Sequence, residues 1–372
     1  MNKILFVVNV DWFFISHRLP IALAAINDGF EVHLACAITN KRDVLEGHGI
    51  IVHPLAFSRS GTGFLKELKT IKLLYNVVCA VAPEIIHTIT IKPVLYGNII
   101  ARILSIPIRI SSISGLGYIF IENNFKAKLM RSLISQLYKL SLTGSQKIIF
   151  QNKSDRNILR KICCISKNQE LLIRGSGVDL NEYTVSPEPE GRPVVMMIAR
   201  LLIDKGVNEF AEAASIIKAQ RDDVRMCLVG DVDLENPNSV STTQIQRWVD
   251  TGQLEHWGYS HNVVESISKS NVMVLPSYRE GLPKSLIEAA ACGRAVITTD
   301  VPGCRDAIEI NSTGLLVPVK SSVALAKAIL KLIDDGALRK KMAINGRALA
   351  EEAFDINDVI NKHLSLYKNK EN

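Results

Sequence analysis

One string in the second half of the chain combines acids, a glycine turn and a helix start: Pro276-Ser277-Tyr278-Arg279-Glu280-Gly281-Leu282-Pro283-Lys284-Ser285-Leu286-Ile287-Glu288-Ala289-Ala290-Ala291-Cys292-Gly293. It reads as a strand end, a turn at Gly281 and a helix beginning near Pro283, because proline fits the first helical turn. The free N–H groups at such a start favour an anion such as a phosphate. Glu280 precedes the helix and Glu288 lies about a turn and a half inside it, so the two carboxylates can meet one elongated ligand at different points. Ionised carboxylates only accept hydrogen bonds, which suits them to pairs of sugar hydroxyls.

A second group lies upstream, in Ile198-Ala199-Arg200-Leu201-Leu202-Ile203-Asp204-Lys205-Gly206. Arg200 ends a strand, and Lys205 with Gly206 opens the next helix. Two fixed cations at one strand-to-helix turn suit a diphosphate, the arginine as a planar fork and the lysine as a point charge. Each group alone has a plain structural reading, as an early helix acid complementing the dipole or as surface cations. Together they describe a ligand that carries both phosphates and hydroxyls.

Other nucleotide devices are absent. A dinucleotide fingerprint would place G-x-G-x-x-G after the first strand and an acid at the end of the second. Here the first strand runs into Asn9-Val10-Asp11-Trp12-Phe13-Phe14 without a glycine, and the second ends Ala35-Cys36-Ala37. This excludes a hydride-transferring dehydrogenase, and the lack of G-x-x-x-x-G-K-[ST] excludes a P-loop hydrolase.

The elements that must position these residues are short apolar runs alternating with amphipathic segments. The first series is 3–8, 31–36, 50–55, 84–90, 108–113 and 147–152; the second is 194–199, 224–230, 254–258, 272–277, 295–300 and 314–318. Such alternation predicts parallel sheets covered by helices on both faces. Between the series, Val185-Ser186-Pro187-Glu188-Pro189-Glu190-Gly191-Arg192-Pro193 reads as a linker. The expected architecture is α/β, with two doubly wound Rossmann-like domains, 1–184 and 185–354, whose strand carboxyl ends face a central cleft. A last helix, 355–372, packs back on the first domain through Ile356, Val359, Ile360, His363, Leu364 and Tyr367.

The two motifs, A-R-x-x-x-x-K-G and then E-G-x-P-x-x-x-x-E-A-x-A-C-G, resemble the retaining nucleotide-sugar enzymes of glycosyltransferase family 4, which have the GT-B fold. The likeness extends to Phe14-Ile15-Ser16-His17-Arg18-Leu19-Pro20, to His87 with Thr90-Ile91-Lys92-Pro93, to Ser114-Gly115-Leu116-Gly117 and to Arg174-Gly175-Ser176-Gly177-Val178-Asp179. Within the family, Phe125-Lys126-Ala127-Lys128-Leu129, Leu137-Tyr138-Lys139-Leu140-Ser141 and Asp233-Leu234-Glu235-Asn236-Pro237 look most similar to the subgroup that extends polyprenyl-diphosphate-linked sugars. The resemblance implies α-1,3 transfer of N-acetylgalactosamine from UDP-N-acetylgalactosamine, or of another hexose or N-acetylhexosamine from its UDP form, in bacterial surface glycan assembly.

It also implies roles. Arg200, Lys205, Glu280 and His87 would be catalytic. Arg200, Lys205, Gly258, Tyr259, Glu280, Gly281, Leu282 and Glu288 would bind the donor, with the cations on the diphosphate, Glu288 on the ribose and Glu280 on the transferred sugar. His17, Arg18, Lys92, Gly115 and Gly117 would bind the acceptor, His17 at the first strand-to-helix turn. Asp231-Val232-Asp233 mimics a metal motif of another glycosyltransferase fold but follows a strand in a different context. No cofactor or required metal is expected; the UDP-sugar is a co-substrate.

Composition sets the compartment and the partners. The 372 residues are 47% hydrophobic and 22% charged, a globular profile. No run free of Lys, Arg, Asp and Glu exceeds 12 residues, whereas a membrane span needs about 20 apolar residues. The seven cysteines show no C-x-x-C spacing, which suits a reducing cytoplasm. Residues 1–180 carry 22 Lys and Arg against 11 Asp and Glu, while residues 181–372 carry 22 against 26. The basic first half suits an anionic partner, the inner leaflet of the cytoplasmic membrane or nucleic acid. A non-catalytic nucleic-acid-binding protein would need aromatic platforms among its cations, and aromatics are only 6% of the chain. In Lys126 to Leu142, cations surround Leu129, Met130, Leu133, Ile134, Leu137 and Tyr138 at helical spacing, an apolar face that is either core or membrane-facing.

Overall fold

The computed structural model describes residues 2–55, 57, 63–117, 125–233 and 236–368. Thirteen strands among them form two wholly parallel sheets, one in each of two units.

The first unit comprises Met1–Ser176 with Ile356–Asn372. Its strands are β1 (Lys3–Val10), β2 (Glu31–Ala37), β3 (Ile51–Pro54), β4 (Ile85–Ile89), β5 (Ile108–Ile113), β6 (Lys147–Phe150) and β7 (Glu170–Leu172), in the order β3-β2-β1-β4-β5-β6-β7. β1 shows why both faces are covered. Ile4, Phe6 and Val8 enter one core with Phe14 and Ile21 of the Asp11–Asn27 helix, and Leu5 and Val7 enter another with Leu74 and Val78 of the Phe64–Val81 helix. Strand side chains alternate between faces, so an uninterrupted apolar run supplies two cores at once. Each such buried side chain contributes roughly 1.5–3 kcal/mol. The final helix, Ile356–Lys368, belongs to this unit and buries Val359 and Tyr367 in the core under β1.

The second unit, Gly177–Asp355, contains β8 (Val194–Ile198), β9 (Arg225–Val229), β10 (Glu255–His256), β11 (Val272–Leu275), β12 (Ala295–Thr299) and β13 (Gly314–Val317). Their order is β10-β9-β8-β11-β12-β13. In each sheet the first strand lies inside, and winding reverses between β1 and β4 and between β8 and β11. In doubly wound sheets, ligands bind outside the strand carboxyl ends at that reversal.

Every expected strand run contains a strand. The additional one, β7, has three residues with no buried member, too little for a sequence pattern. The first boundary falls at Ser176 rather than at residue 184, because Val178 and Tyr183 pack in the core of the second unit. The stretch 185–193 is not a free linker. Arg294, buried, donates to the carbonyls of Ser186 at 2.8 Å and Pro187 at 3.1 Å. Arg339 holds Glu188 at 2.7 Å, and Asn271 donates to the Pro189 carbonyl at 3.2 Å. Among the described residues no helix is long and apolar enough to cross a membrane.

Candidate functional site

In the second unit the chain leaves β8 through Arg200 and a 3-10 turn, Ile203–Lys205, into the Val207–Lys218 helix. Gly206 makes this possible. Its φ is +79°, and a Cβ there would stand 2.2 Å from the Pro276 carbonyl oxygen, so only glycine lets the turn press on the end of β11. The result is that Lys205 Nζ donates to Glu280 Oε1, which also lies 2.8 Å from Ser277 Oγ. Gly303, with φ +82°, supports the same turn: a Cβ would meet the Glu280 carbonyl oxygen at 2.4 Å. The Glu280 N–H donates to the Pro302 carbonyl at 3.2 Å.

Gly281 and Leu282 are buried beside this pair, and the Lys284–Ala291 helix starts immediately after Pro283. The first N–H groups of a helix lack intrahelical acceptors, so a cation, a carboxylate and a helix start share one strand end. Glu288 is 5% exposed, not a solvated helix acid. Its Oε1 accepts from Tyr183 Oη at 2.9 Å and lies 3.3 Å from Lys284 Nζ. Burial and the neighbouring carboxylate push the Tyr183 phenol far above its usual range, so it acts only as a donor. Nothing in the sequence pattern singled out Tyr183, because its partner is remote in the chain.

Arg200 is half-exposed, with Nη1 3.3 Å from Asp233 Oδ2. The second acid of Asp231-Val232-Asp233 thus faces a cation; Leu234 and Glu235 lie outside the described residues. Gly258 follows β10 and its carbonyl accepts from the Gly230 N–H at 2.8 Å. Tyr259 is 61% exposed and meets His261 edge-on, with centroids 4.9 Å apart. The second unit therefore places Arg200, Lys205, Glu280, Gly281, Leu282, Gly258 and Tyr259 in the segments that follow its strands, and Glu288 on the helix that follows β11.

The first unit departs from expectation at three residues. His87 lies in the middle of β4, fully buried, with Nδ1 2.7 Å from Tyr367 Oη and Nε2 2.7 Å from Ser112 Oγ. Both ring nitrogens are engaged in the core, so His87 is placed as a packing residue and not at a ligand. Arg18 is 1% exposed and donates to the His17 carbonyl at 2.8 Å and to Ser176 Oγ at 3.1 Å. Burial pushes its guanidinium down to about 10. His17 is inside the Asp11–Asn27 helix rather than at the turn before it, stacked on Phe13 with centroids 4.2 Å apart. The helix begins at Asp11 because the turn residues Trp12, Phe13 and Phe14 are helical. Lys92 pairs with Glu67 at 2.6 Å. Gly115 and Gly117 do follow the carboxyl end of β5.

The Phe125–Leu142 helix is core on one side only. Tyr138 is buried, whereas Phe125, Leu129 and Leu133 are 84%, 67% and 58% exposed. The side chains of Lys126 and Ala127 lie outside the described residues.

Comparison with known proteins bears on this geometry. Residues 181–349 match the family of glycosyl transferases group 1, and residues 3–152 match the glycosyl transferase 4-like family. The chain is 32% identical, over 94% of its own length and 94% of the relative's, to the N,N'-diacetylbacillosaminyl-diphospho-undecaprenol α-1,3-N-acetylgalactosaminyltransferase of Campylobacter jejuni. It is 23% identical, over 92% of its length and 89% of the relative's, to the Escherichia coli UDP-Gal:α-D-GlcNAc-diphosphoundecaprenol α-1,3-galactosyltransferase. Among solved structures, sucrose-phosphate synthase of Thermosynechococcus elongatus superposes with a TM-score of 0.81 over 99% of this chain and 98% of that one, at 20% identity.

Proposed function

The chain belongs to the group 1 glycosyltransferases, with the two-domain GT-B fold, and we propose that it transfers a sugar from a UDP-sugar to a polyprenyl-diphosphate-linked sugar during bacterial surface glycan assembly. The proposed transfer is of N-acetylgalactosamine from UDP-N-acetylgalactosamine, in α-1,3 linkage and with retention. What carries this reading is the full-length likeness to the Campylobacter transferase, in a chain that joins Lys205 to Glu280 beside a helix start beyond the two central strands of its second sheet. A second reading, another UDP-hexose or UDP-N-acetylhexosamine as donor, is favoured by the galactosyl donor in the name of the E. coli relative. Belonging to this family sets aside a non-catalytic role.

In the proposed mechanism Lys205 and Arg200 neutralise the donor diphosphate and hold the charge that develops on UDP as the glycosidic bond breaks, and the N–H groups near Gly281 and Leu282 assist. Preorganised charge of this kind is usually the largest single contribution to such a step. Glu288, fixed by Tyr183, takes the ribose; Glu280, fixed by Lys205 and Ser277, takes the transferred sugar. Tyr259 and Gly258 lie beside the base. The acceptor hydroxyl attacks from the side on which UDP leaves and passes its proton to the departing diphosphate oxygen as the bond from the anomeric carbon to UDP breaks, a course that gives retention without a carboxylate nucleophile.

The test is a donor screen: purified protein, each UDP-, GDP- and ADP-sugar in turn, and a short polyprenyl-diphosphate-N-acetylhexosamine acceptor, with products read by mass. An N-acetylhexosamine gain from UDP-N-acetylgalactosamine alone supports the full reading. Gain from another donor removes the sugar assignment, and no gain from any donor removes the acceptor.

Because fixed cations meet the diphosphate, the proposed reaction needs no divalent metal. EDTA is expected to leave the initial rate within about twofold; loss of activity restored by Mg2+ or Mn2+ would return Asp231 and Asp233 to the site.

We place the protein in the cytoplasm, at the inner face of the membrane, held by the exposed stripe Phe125, Leu129 and Leu133 with neighbouring Lys128 and Arg131. Apolar residues and cations on one helix bind anionic bilayers, each cation adding about 1 kcal/mol. Leu129→Asp is expected to cut co-sedimentation with phosphatidylglycerol vesicles at least tenfold, and unchanged sedimentation would refute this placement.

A further inference from the structure

The proposed acceptor role of the first unit has lost His87 and Arg18 to the core, and the carboxyl ends of β1, β4 and β5 hold what remains. Three side-chain atoms there are buried without a hydrogen-bond partner: Asn9 Oδ1, Thr90 Oγ1 and Ser114 Oγ. The register joins them. β1 and β4 pair Val7 with Thr88, and β4 and β5 pair Ile89 with Ser112. Asn9 lies two residues past the last β1–β4 pair, and Thr90 and Ser114 are the first residues after β4 and β5. All three therefore border the point where winding reverses in this sheet, the place where doubly wound sheets take ligands.

Thr90 is the strongest sign of a function. It has φ +73° and ψ 170°, a region that only glycine occupies readily, and as a β-branched residue it is a marked outlier there. It also caps the Ile91–Ile103 helix, yet its hydroxyl makes no capping bond to that helix. A threonine at an N-cap normally satisfies one of the first N–H groups, so glycine would serve the backbone better and the cap has no use for this hydroxyl. Such strain persists where the site has another use for the residue.

Among the described residues, two charged side chains near these strand ends are already engaged. The Asp11 carboxylate accepts from the N–H groups of Trp12 and Thr39 at 2.7 Å each and of Lys41 at 3.2 Å, and from Thr39 Oγ1 at 2.8 Å. Lys92 is paired with Glu67. Among the described residues the unsatisfied groups at these strand ends are one amide oxygen and two hydroxyls, all neutral. A diphosphate needs cations, whereas a sugar ring offers the hydroxyl and amide donors that Asn9 Oδ1 requires.

We propose that Asn9, Thr90 and Ser114 form an uncharged subsite for the acceptor's sugar ring, with Thr90 as its specificity-determining residue; the identity of the ring rests on the transfer proposed above. The test compares wild type with Thr90→Val, Thr90→Gly and Asn9→Ala in steady-state transfer to citronellyl-diphosphate-N-acetylhexosamine. Each variant is expected to raise the acceptor KM about five- to tenfold, the loss of one hydrogen bond, while the UDP-sugar KM moves less than about twofold. Thr90→Gly is also expected to melt higher than wild type, since the strain is relieved, and still to bind acceptor poorly. An unchanged acceptor KM in Thr90→Val and Asn9→Ala overturns the subsite.

A binding arm separates this from the transfer itself. Saturation-transfer NMR with methyl α-N-acetylhexosaminides should show contact with wild type that Thr90→Val loses, even if no lipid acceptor is extended. Absence of contact with wild type overturns the subsite. Loss of inorganic pyrophosphate binding in Thr90→Val, with glycoside contact kept, overturns its uncharged character.

Discussion

Lys205→Ala is expected to lower turnover by about 10²–10³-fold, the usual effect of removing one preorganised group that stabilises charge in a transition state. Two losses combine in this variant. The diphosphate loses a fixed cation, and Glu280 loses the partner that aims its carboxylate. The lysine is 19% exposed and the glutamate 12%, so water replaces the missing charge only in part and the unpaired carboxylate repels the phosphates. Glu280→Gln separates the two effects. The amide keeps a hydrogen bond to Ser277 and an oxygen for Lys205, and removes only the charge. It is expected to cost about 10²-fold if the carboxylate meets a sugar hydroxyl directly.

The double variant decides whether the pair acts as a unit. Groups in contact give non-additive effects, so Lys205→Ala with Glu280→Gln should cost clearly less than the product of the single losses. Arg200→Ala should cost less than Lys205→Ala, because Arg200 is 45% exposed and already shares Asp233. All four proteins should melt within a few degrees of wild type, since these residues sit at strand and helix ends. Near-wild-type kcat/KM in Lys205→Ala would remove it from the site; strict additivity would separate it from Glu280.

Lys205 and Glu280 were each legible in the sequence as candidates, because the signals that place each one are local, but their contact across 75 residues was not. A strand end, a glycine and a helix start fix where Lys205 and Glu280 emerge, and the reversal of winding between β8 and β11 makes the two ends neighbours. The strands were legible for the same reason, as apolar runs at sheet spacing. What failed depended on distant partners. His87 could have faced solvent or core; its environment is set by Tyr367 and Ser112, and no spacing around residue 87 announces either. The Pro- and Glu-rich stretch 185–193 looked like a linker because Arg294 and Arg339, which satisfy its polar groups, lie far along the chain. Tyr183 escaped notice on the same ground, since it matters only through Glu288. Thr90 was visible as a residue type, but no local pattern around it announces its positive φ.

The His87 cluster carries the second large expectation, a steep loss of stability in acid. His363, on the last helix, lies 5.7 Å from His87 between ring centroids and donates through Nδ1 to the Val359 carbonyl at 2.7 Å. Burial, with Arg18 beside it, pushes His363 down to about 3. Burial, His363 and Arg18 likewise hold His87 well below its usual range. Both rings are therefore neutral in the folded unit, whereas the unfolded chain protonates them near pH 6.5. A depressed folded-state value means that the stabilisation is complete above about pH 6.5 and is lost as pH falls toward the folded values. The loss approaches about 1.4 kcal/mol per pH unit for each ring. For His363 alone, two pH units remove about 2.7 kcal/mol, and His87 adds to this in the same direction. Between pH 7 and 4.5 the amides of β4 and of the Ile356–Lys368 helix should lose hydrogen-exchange protection together, because Tyr367 Oη ties the helix to His87. Replacing one ring isolates this contribution from that of the carboxylates: His363→Leu should flatten the pH dependence by about one proton. An unchanged slope in that variant would mean that His363 gains its proton without unfolding the unit.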